Sequence, residues 1–218
     1  MKKPLKAVLF DFDGVLAKTM EDNYFAWKHS FETIGGNITK EDYMPLEGAI
    51  LSEIVKKISK KYNLKIADID EMVAKKEKYF KENHSFSFYP GVLEFIDELK
   101  SRNIKIAIVT AALKNRLFST TPNDFLEKFD SIITGNDYEK GKPNPEPYLT
   151  AVKKLNILPE NCAVIENAPL GIQSAKSGGI YCIAICSTLN KSYLGEANII
   201  INAFKDLKNT KIFKTYYL

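Results

Sequence analysis

Two aspartates one residue apart, Asp11 and Asp13, end the apolar stretch LFDFDGV at 9–15. Leu9, Phe10 and Phe12 favour burial, whereas an ionised carboxylate leaves water only when its charge is compensated. Residues two apart in a strand share a face, so the pair converges on one spot. A metal ion, a phosphoryl group or a strand cap could each supply the compensation. Further along, Thr110 ends the run IKIAIVT, Lys142 sits in the loop GKPNPEP, and Glu166 with Asn167 closes CAVIEN. Polar residues are expected wherever strands stop, so none of these is distinctive alone. Together, in this order, they form a set for phosphoryl transfer. A carboxylate attacks phosphorus as a nucleophile. Magnesium held by hard oxygens offsets the repulsion between that anion and the phosphate. A hydroxyl and a lysine then hold the equatorial oxygens as charge develops.

Such a set needs elements to converge it. Five short apolar runs bounded by turn signals recur: KAVLFD (6–11), IKIAIVT (104–110), DSIITG (130–135), CAVIE (162–166) and YCIAIC (181–186). A sixth, ANIII (197–201), is placed at an edge. Continuous Ile- and Val-rich runs suit strands buried on both faces of a parallel sheet. Helical spacing separates them, with Val92, Leu93, Ile96 and Leu99 in one segment and Tyr148, Leu149, Val152 and Leu155 in another. Alternation of this kind predicts an open α/β sheet, whose ligands bind beyond the carboxyl ends of the strands. Residues 16–88 break the rhythm, with helical spacing only, as at Ile50, Ile54, Val55 and Ile58. That is too long for an ordinary crossover. It reads as a helical cap inserted into a Rossmann-like core made of 1–15 and 89–218.

The stretches DFDGVL, IVTAA, GKPNPEPY and VIENAPLGI resemble the four ordered motifs of the haloacid-dehalogenase-like hydrolases. The insertion is similar to that superfamily's C1-type helical cap. The resemblance runs through nearly the whole chain and extends to the β-phosphoglucomutase-like branch, with FAWK (25–28) and the glycine of PLEGAILSE (45–53) in support. It implies that Asp11 is the nucleophile, forms an aspartyl-phosphate and binds Mg2+. It implies that Asp13 is the general acid/base and lends its backbone carbonyl to the metal. Thr110 and the amide of Ala111 would bind the phosphoryl group, Lys142 would pair with the phosphate and Asp11, and Glu166 and Asn167 would complete the metal site. Three positions depart from the pattern. Asn167 stands where many relatives carry aspartate, so it offers an amide oxygen with one less negative charge. Asn23 replaces a histidine of the mutases, and Leu51 stands where a mutase cap places an arginine for the distal phosphate. The resemblance therefore implies a Mg2+-dependent phosphatase acting on a small phosphorylated metabolite, with a sugar phosphomutase as the alternative. A dehalogenase would not keep an aspartate at Asp13, and a receiver-type signalling module has no long insertion after its first strand.

The bulk properties fit this reading. With 218 residues, 45% hydrophobic and 27% charged, the composition is that of a soluble globular protein. The basic start and apolar run at the N-terminus are interrupted by aspartates, too early for a secretory signal, and no run approaches the roughly 18 apolar residues of a membrane span. Cys162, Cys182 and Cys186 form no metal-binding spacing and read as buried free thiols of a reducing compartment. A net charge of +4, with lysines gathered in KKISKKYNLK (56–65), reads as solvated helix surface. No basic-aromatic motif points to nucleic acid. Trp27 falls in an apolar helical stripe and is expected in the cap core, and His29 and His84 are expected to pack rather than react. A cytoplasmic monomer without nucleic-acid or membrane partners is the expectation.

Overall fold

A computed structural model describes residues 4–217; the basic Met1–Lys3 lies outside them. The six expected strands form as β1 (Ala7–Phe10), β2 (Lys105–Val109), β3 (Ser131–Ile133), β4 (Cys162–Glu166), β5 (Tyr181–Ile185) and β6 (Ile199–Ile201). They make one parallel sheet in the order β3-β2-β1-β4-β5-β6. Alternate residues of each strand feed two cores. Val8, Phe10, Ile106, Ile108 and Ile165 lie in one, and Ala7, Leu9, Ala107, Val109 and Val164 in the other. Burial on both faces is why these strands carry unbroken apolar runs. The chain builds outward from β1 to β3 and then returns to place β4 against β1. The crevice above the β1/β4 junction is thus the topological switch point.

The insertion carries α1 (Met20–Glu32), α2 (Lys40–Tyr43), α3 (Leu51–Tyr62) and α4 (Ile69–Asn83). These helices bury their own core: Met20, Tyr24, Trp27 and Phe31 of α1 meet Ile54, Val55 and Ile58 of α3 and Met72 of α4. Trp27 and Phe31 are fully buried, and each contributes roughly 2–3 kcal/mol through the apolar surface it removes from water. Leu51 belongs to this cap core. His29 stacks on Tyr79, and His84 on Phe80.

The remaining helices are α5 (Val92–Ser101), α6 (Lys114–Thr120), α7 (Asn123–Leu126), α8 (Glu146–Leu155), α9 (Pro169–Ser177) and α10 (Lys211–Tyr217). α5 covers the first core with Val92, Phe95, Ile96 and Leu99; α8 and α9 cover the second with Tyr148, Val152, Leu155 and Ile172. Two paired links join cap and sheet. Ala17 bridges Phe88, the Lys18 amide donates to Ser87 O at 2.9 Å, and the Tyr89 amide donates to Leu16 O at 3.1 Å. The cap also rests on the strand ends, because a methyl group added to Gly48 would meet Lys142 Cδ at 2.9 Å, and one on Gly141 would meet Ile50 Cγ1 at 2.4 Å. Gly178 ends α9, and Gly179 takes φ +71 in the turn ahead of β5. Cys162 and Cys182 are buried free thiols, and Cys186 is partly exposed and also free. No helix among the described residues is long and apolar enough to cross a membrane.

Candidate active site

β1 stops at Phe10, and the chain turns directly after Asp11. The pleat therefore does not set both carboxylates, as a longer strand would have done, and the two meet different partners. Asp11 stays at the strand end, its amide donating to Ile165 O at 3.0 Å. Lys142 Nζ lies 2.6 Å from Asp11 Oδ1, 2.6 Å from Glu166 Oε1 and 3.3 Å from Val109 O. Asp11 Oδ2 is buried and has no hydrogen-bond partner among the described residues. Burial drives the Asp11 carboxyl well above the usual carboxylate range; Lys142 opposes this and Glu166 adds to it. Lys142 responds the other way: burial would lower its ammonium, but Asp11 and Glu166 outweigh burial and raise it.

Glu166 has little free capacity. Oε1 accepts from Lys142 and from the Tyr148 hydroxyl at 2.7 Å, while Oε2 accepts from the Asn167 and Ala168 amides at 3.0 and 3.3 Å. Those are about the four lone-pair positions a carboxylate has. Its neighbour Asn167 donates Nδ2 to Thr188 Oγ1 at 2.9 Å, and its Oδ1 is buried without a partner. Two orphaned acceptor oxygens, Asp11 Oδ2 and Asn167 Oδ1, thus stand at the ends of adjacent strands. A buried acceptor left unpaired is costly, and oxygens of this kind suit a hard cation. The residues present fit a divalent metal through these two oxygens.

Thr110 follows β2 and is buried. Its Oγ1 accepts from the Ala112 amide at 3.0 Å, which leaves the hydroxyl proton available to an anion. Ala111 lies beside it in the same loop and is also buried.

Asp13 sits among donors of which the sequence singled out only Asn23. The Thr19 hydroxyl donates to Oδ1, as does Asn23 Nδ2 at 3.0 Å. Arg116, on α6, donates NH1 to Oδ1 at 3.2 Å and NH2 to Oδ2 at 2.7 Å. Burial alone would raise the Asp13 carboxyl, but the Arg116 charge and these hydrogen bonds outweigh it and hold it down to about 2. Around this core lie more buried charges. Lys76 Nζ donates to Asn23 Oδ1 at 2.7 Å and to Glu77 Oε1 at 2.9 Å, and Glu77 Oε2 lies 3.7 Å from Arg116 Nε. Glu47, in the cap loop before α3, accepts from the Tyr43 hydroxyl and is pushed up to about 7 by burial and the Asp13 charge. In the sequence, Lys76 and Glu77 look like any solvated helical charge run, and Arg116 is one basic residue after Lys114. Their burial emerges only when cap and core meet.

A cleft of about 590 Å³ opens between cap, linkers and the loop after β5, lined by Lys18, Glu21, Lys40, Tyr89, Thr188 and Tyr193 among others. Thr188 also holds Asn167, so the cleft reaches the edge of the site.

A parallel sheet with buried polar residues gathered over its switch point, under a helical cap, is the layout of an α/β enzyme with its site at the carboxyl ends of the strands. The family model for haloacid dehalogenase-like hydrolases matches residues 8–185, and the chain belongs to that family. It is 28% identical, over 94% of its length and 96% of the relative's, to validoxylamine A 7'-phosphate phosphatase of Streptomyces hygroscopicus subsp. limoneus. The solved structure of β-phosphoglucomutase from Clostridium difficile superposes with a TM-score of 0.83 at 26% identity, covering 98% of this chain and 99% of that one. The protein SUPPRESSOR OF QUENCHING 1, chloroplastic, of Arabidopsis thaliana is 30% identical over 88% of this chain, which spans only 19% of that protein.

Proposed function

We propose that this enzyme is a Mg2+-dependent phosphatase that hydrolyses a small phosphorylated metabolite through an aspartyl-phosphate on Asp11. The observation that carries this reading is Asp11 itself, buried at the switch point with Oδ1 fixed by Lys142 and Oδ2 unpartnered. A carboxylate in that state is oriented and poorly solvated, as an attacking group needs to be. Asp11, Asn167 and the Asp13 backbone carbonyl would hold Mg2+, which when bound neutralises charge between the carboxylate and the phosphoryl oxygens. Glu166, with its acceptor positions engaged, serves first as the anchor of Lys142 and reaches the metal only by giving up a donor. Thr110 and the Ala111 amide take the phosphoryl oxygens, and Lys142 adds charge. Asp13 exchanges the protons, one to the leaving alcohol and one from the attacking water. The cleft has the size of a small-molecule site, and the cap that closes it keeps bulk water from the intermediate.

Among relatives there is a mutase as well as a phosphatase, so the acceptor is the point to test. A mutase must hold a bisphosphate in both orientations, and an unpaired distal phosphate in a closed site is costly. Leu51 lies in the cap core and Asn23 has no titrating group, so water is the expected acceptor. With β-glucose 1-phosphate and a catalytic amount of the 1,6-bisphosphate, NMR should show inorganic phosphate at most. Rapid accumulation of glucose 6-phosphate would make the enzyme a mutase.

A further inference from the structure

Arg116 has no part in the reaction just described, yet it is the most heavily engaged charge beside it. Its guanidinium is buried, meets both oxygens of Asp13 at 2.7 and 3.2 Å, lies over the Phe80 ring at 4.6 Å and faces Glu77 at 3.7 Å. Its planar fork matches a carboxylate at two points, which an ammonium cannot do.

The donors around Asp13 carry a message about its use. Thr19, Asn23 Nδ2 and both Arg116 nitrogens all donate to it. Oδ1 receives three of these contacts and Oδ2 one, so Oδ2 keeps acceptor capacity. Surrounded by donors, Asp13 is held as the ionised carboxylate, with Oδ2 the oxygen left open to a further donor. Thr19 and Asn23 ride on the linker and the first cap helix, whereas Arg116 belongs to the core, with Phe80 and Glu77 of the cap against its guanidinium. We propose that Arg116 is a positioning residue that aims Asp13 Oδ2 at the water which attacks the phosphorylated Asp11, so that it serves the hydrolytic half of the reaction. This rests on the phosphatase reading. In that half, the water oxygen forms the new P–O bond and the bond from phosphorus to Asp11 breaks. Its electron pair returns to the Asp11 carboxylate, and the water proton passes to Asp13.

4-Nitrophenyl phosphate isolates this half, because its leaving phenolate needs no proton. For Arg116→Gln, kcat should fall about 100-fold, the scale of a misplaced general base. KM should fall in parallel, so that kcat/KM stays within about threefold, because the step that forms the intermediate is spared. A burst of nitrophenolate matching the enzyme concentration should precede the slow phase, and acid-quenched enzyme should carry phosphate on Asp11. Arg116→Lys, which keeps the charge without the fork and preserves the fold if the glutamine variant does not, should show the same pattern with a loss of about 10-fold. If kcat/KM falls together with kcat and no burst forms, or if kcat does not change, Arg116 does not position Asp13. Failure of the phosphatase reading looks different: the unaltered enzyme would release no nitrophenolate, or Asp11→Asn would release it undiminished.

Discussion

Glu166 shows how a residue expected at a metal site also anchors its neighbours. Its identity and its place at a strand end are legible in the sequence, but its four donors are not, because they come from Lys142, Tyr148 and two amides brought together by three separate elements. The space around it is equally specific. A methyl group on Gly171 would lie 1.7 Å from Glu166 Oε1. Gly171→Ala must therefore push the carboxylate off its donors and release Lys142 from one of its two carboxylate anchors. The expected result is at least a 10-fold loss of 4-nitrophenyl phosphate turnover, with a destabilisation of about 2–3 kcal/mol in urea titrations. Unchanged activity would mean that Glu166 is dispensable to the position of Lys142. Asp11, Thr110 and Lys142 could be picked out beforehand because strand ends and a proline-rich loop announce them. Arg116, Lys76 and Glu77 could not, since a charge inside a helical run is ordinarily solvated and only tertiary contact reverses that.

At the scale of elements, local rules bend where the site needs them. Thr19 stands at the N-cap of α1, yet its side chain makes no capping hydrogen bond and donates to Asp13 instead. Asp68 at the start of α4 does cap, accepting from the Asp70 and Glu71 amides at 2.8 and 3.2 Å. The strands were legible as continuous apolar runs, and α3, α5 and α8 from their helical spacing. The cap loop between α2 and α3 was not, and it carries Glu47 into a buried position beside the Asp13 charge. Folding raises the Glu47 carboxyl from 4.5 to about 7, so the folded chain holds a proton that the unfolded chain has released. Stability should accordingly fall as pH rises from about 4.5 through about 7 and level off above. Glu47→Gln should remove that slope, leaving the variant on the order of 2 kcal/mol better off at pH 8 than at pH 5 relative to the parent. Thermal melts across this range check it; parallel curves for the two proteins would show that Glu47 does not carry the burden.

Across the whole molecule, the sheet and the cap divide the labour. The parallel sheet delivers Asp11, Thr110 and Asn167 to one crevice, and the cap lays Gly48 against Lys142 and Glu77 against Arg116. The fold class could be read from alternating strands and helices and from the one long interval between the first two strands. How the cap sits could not, because the residues that join it to the core lie far apart in sequence: Lys81 and Asn115 are 34 positions apart, and Glu77 of α4 meets Arg116 of α6. Everything proposed for this site turns on phosphorus being carried by Asp11. Enzyme quenched in acid during turnover of 4-nitrophenyl phosphate, digested and mapped by mass spectrometry, should carry one phosphoryl group on the peptide containing Asp11, and Asp11→Asn should carry none and be inactive while melting like the parent. Phosphate on another residue, or turnover persisting in Asp11→Asn, would contradict it.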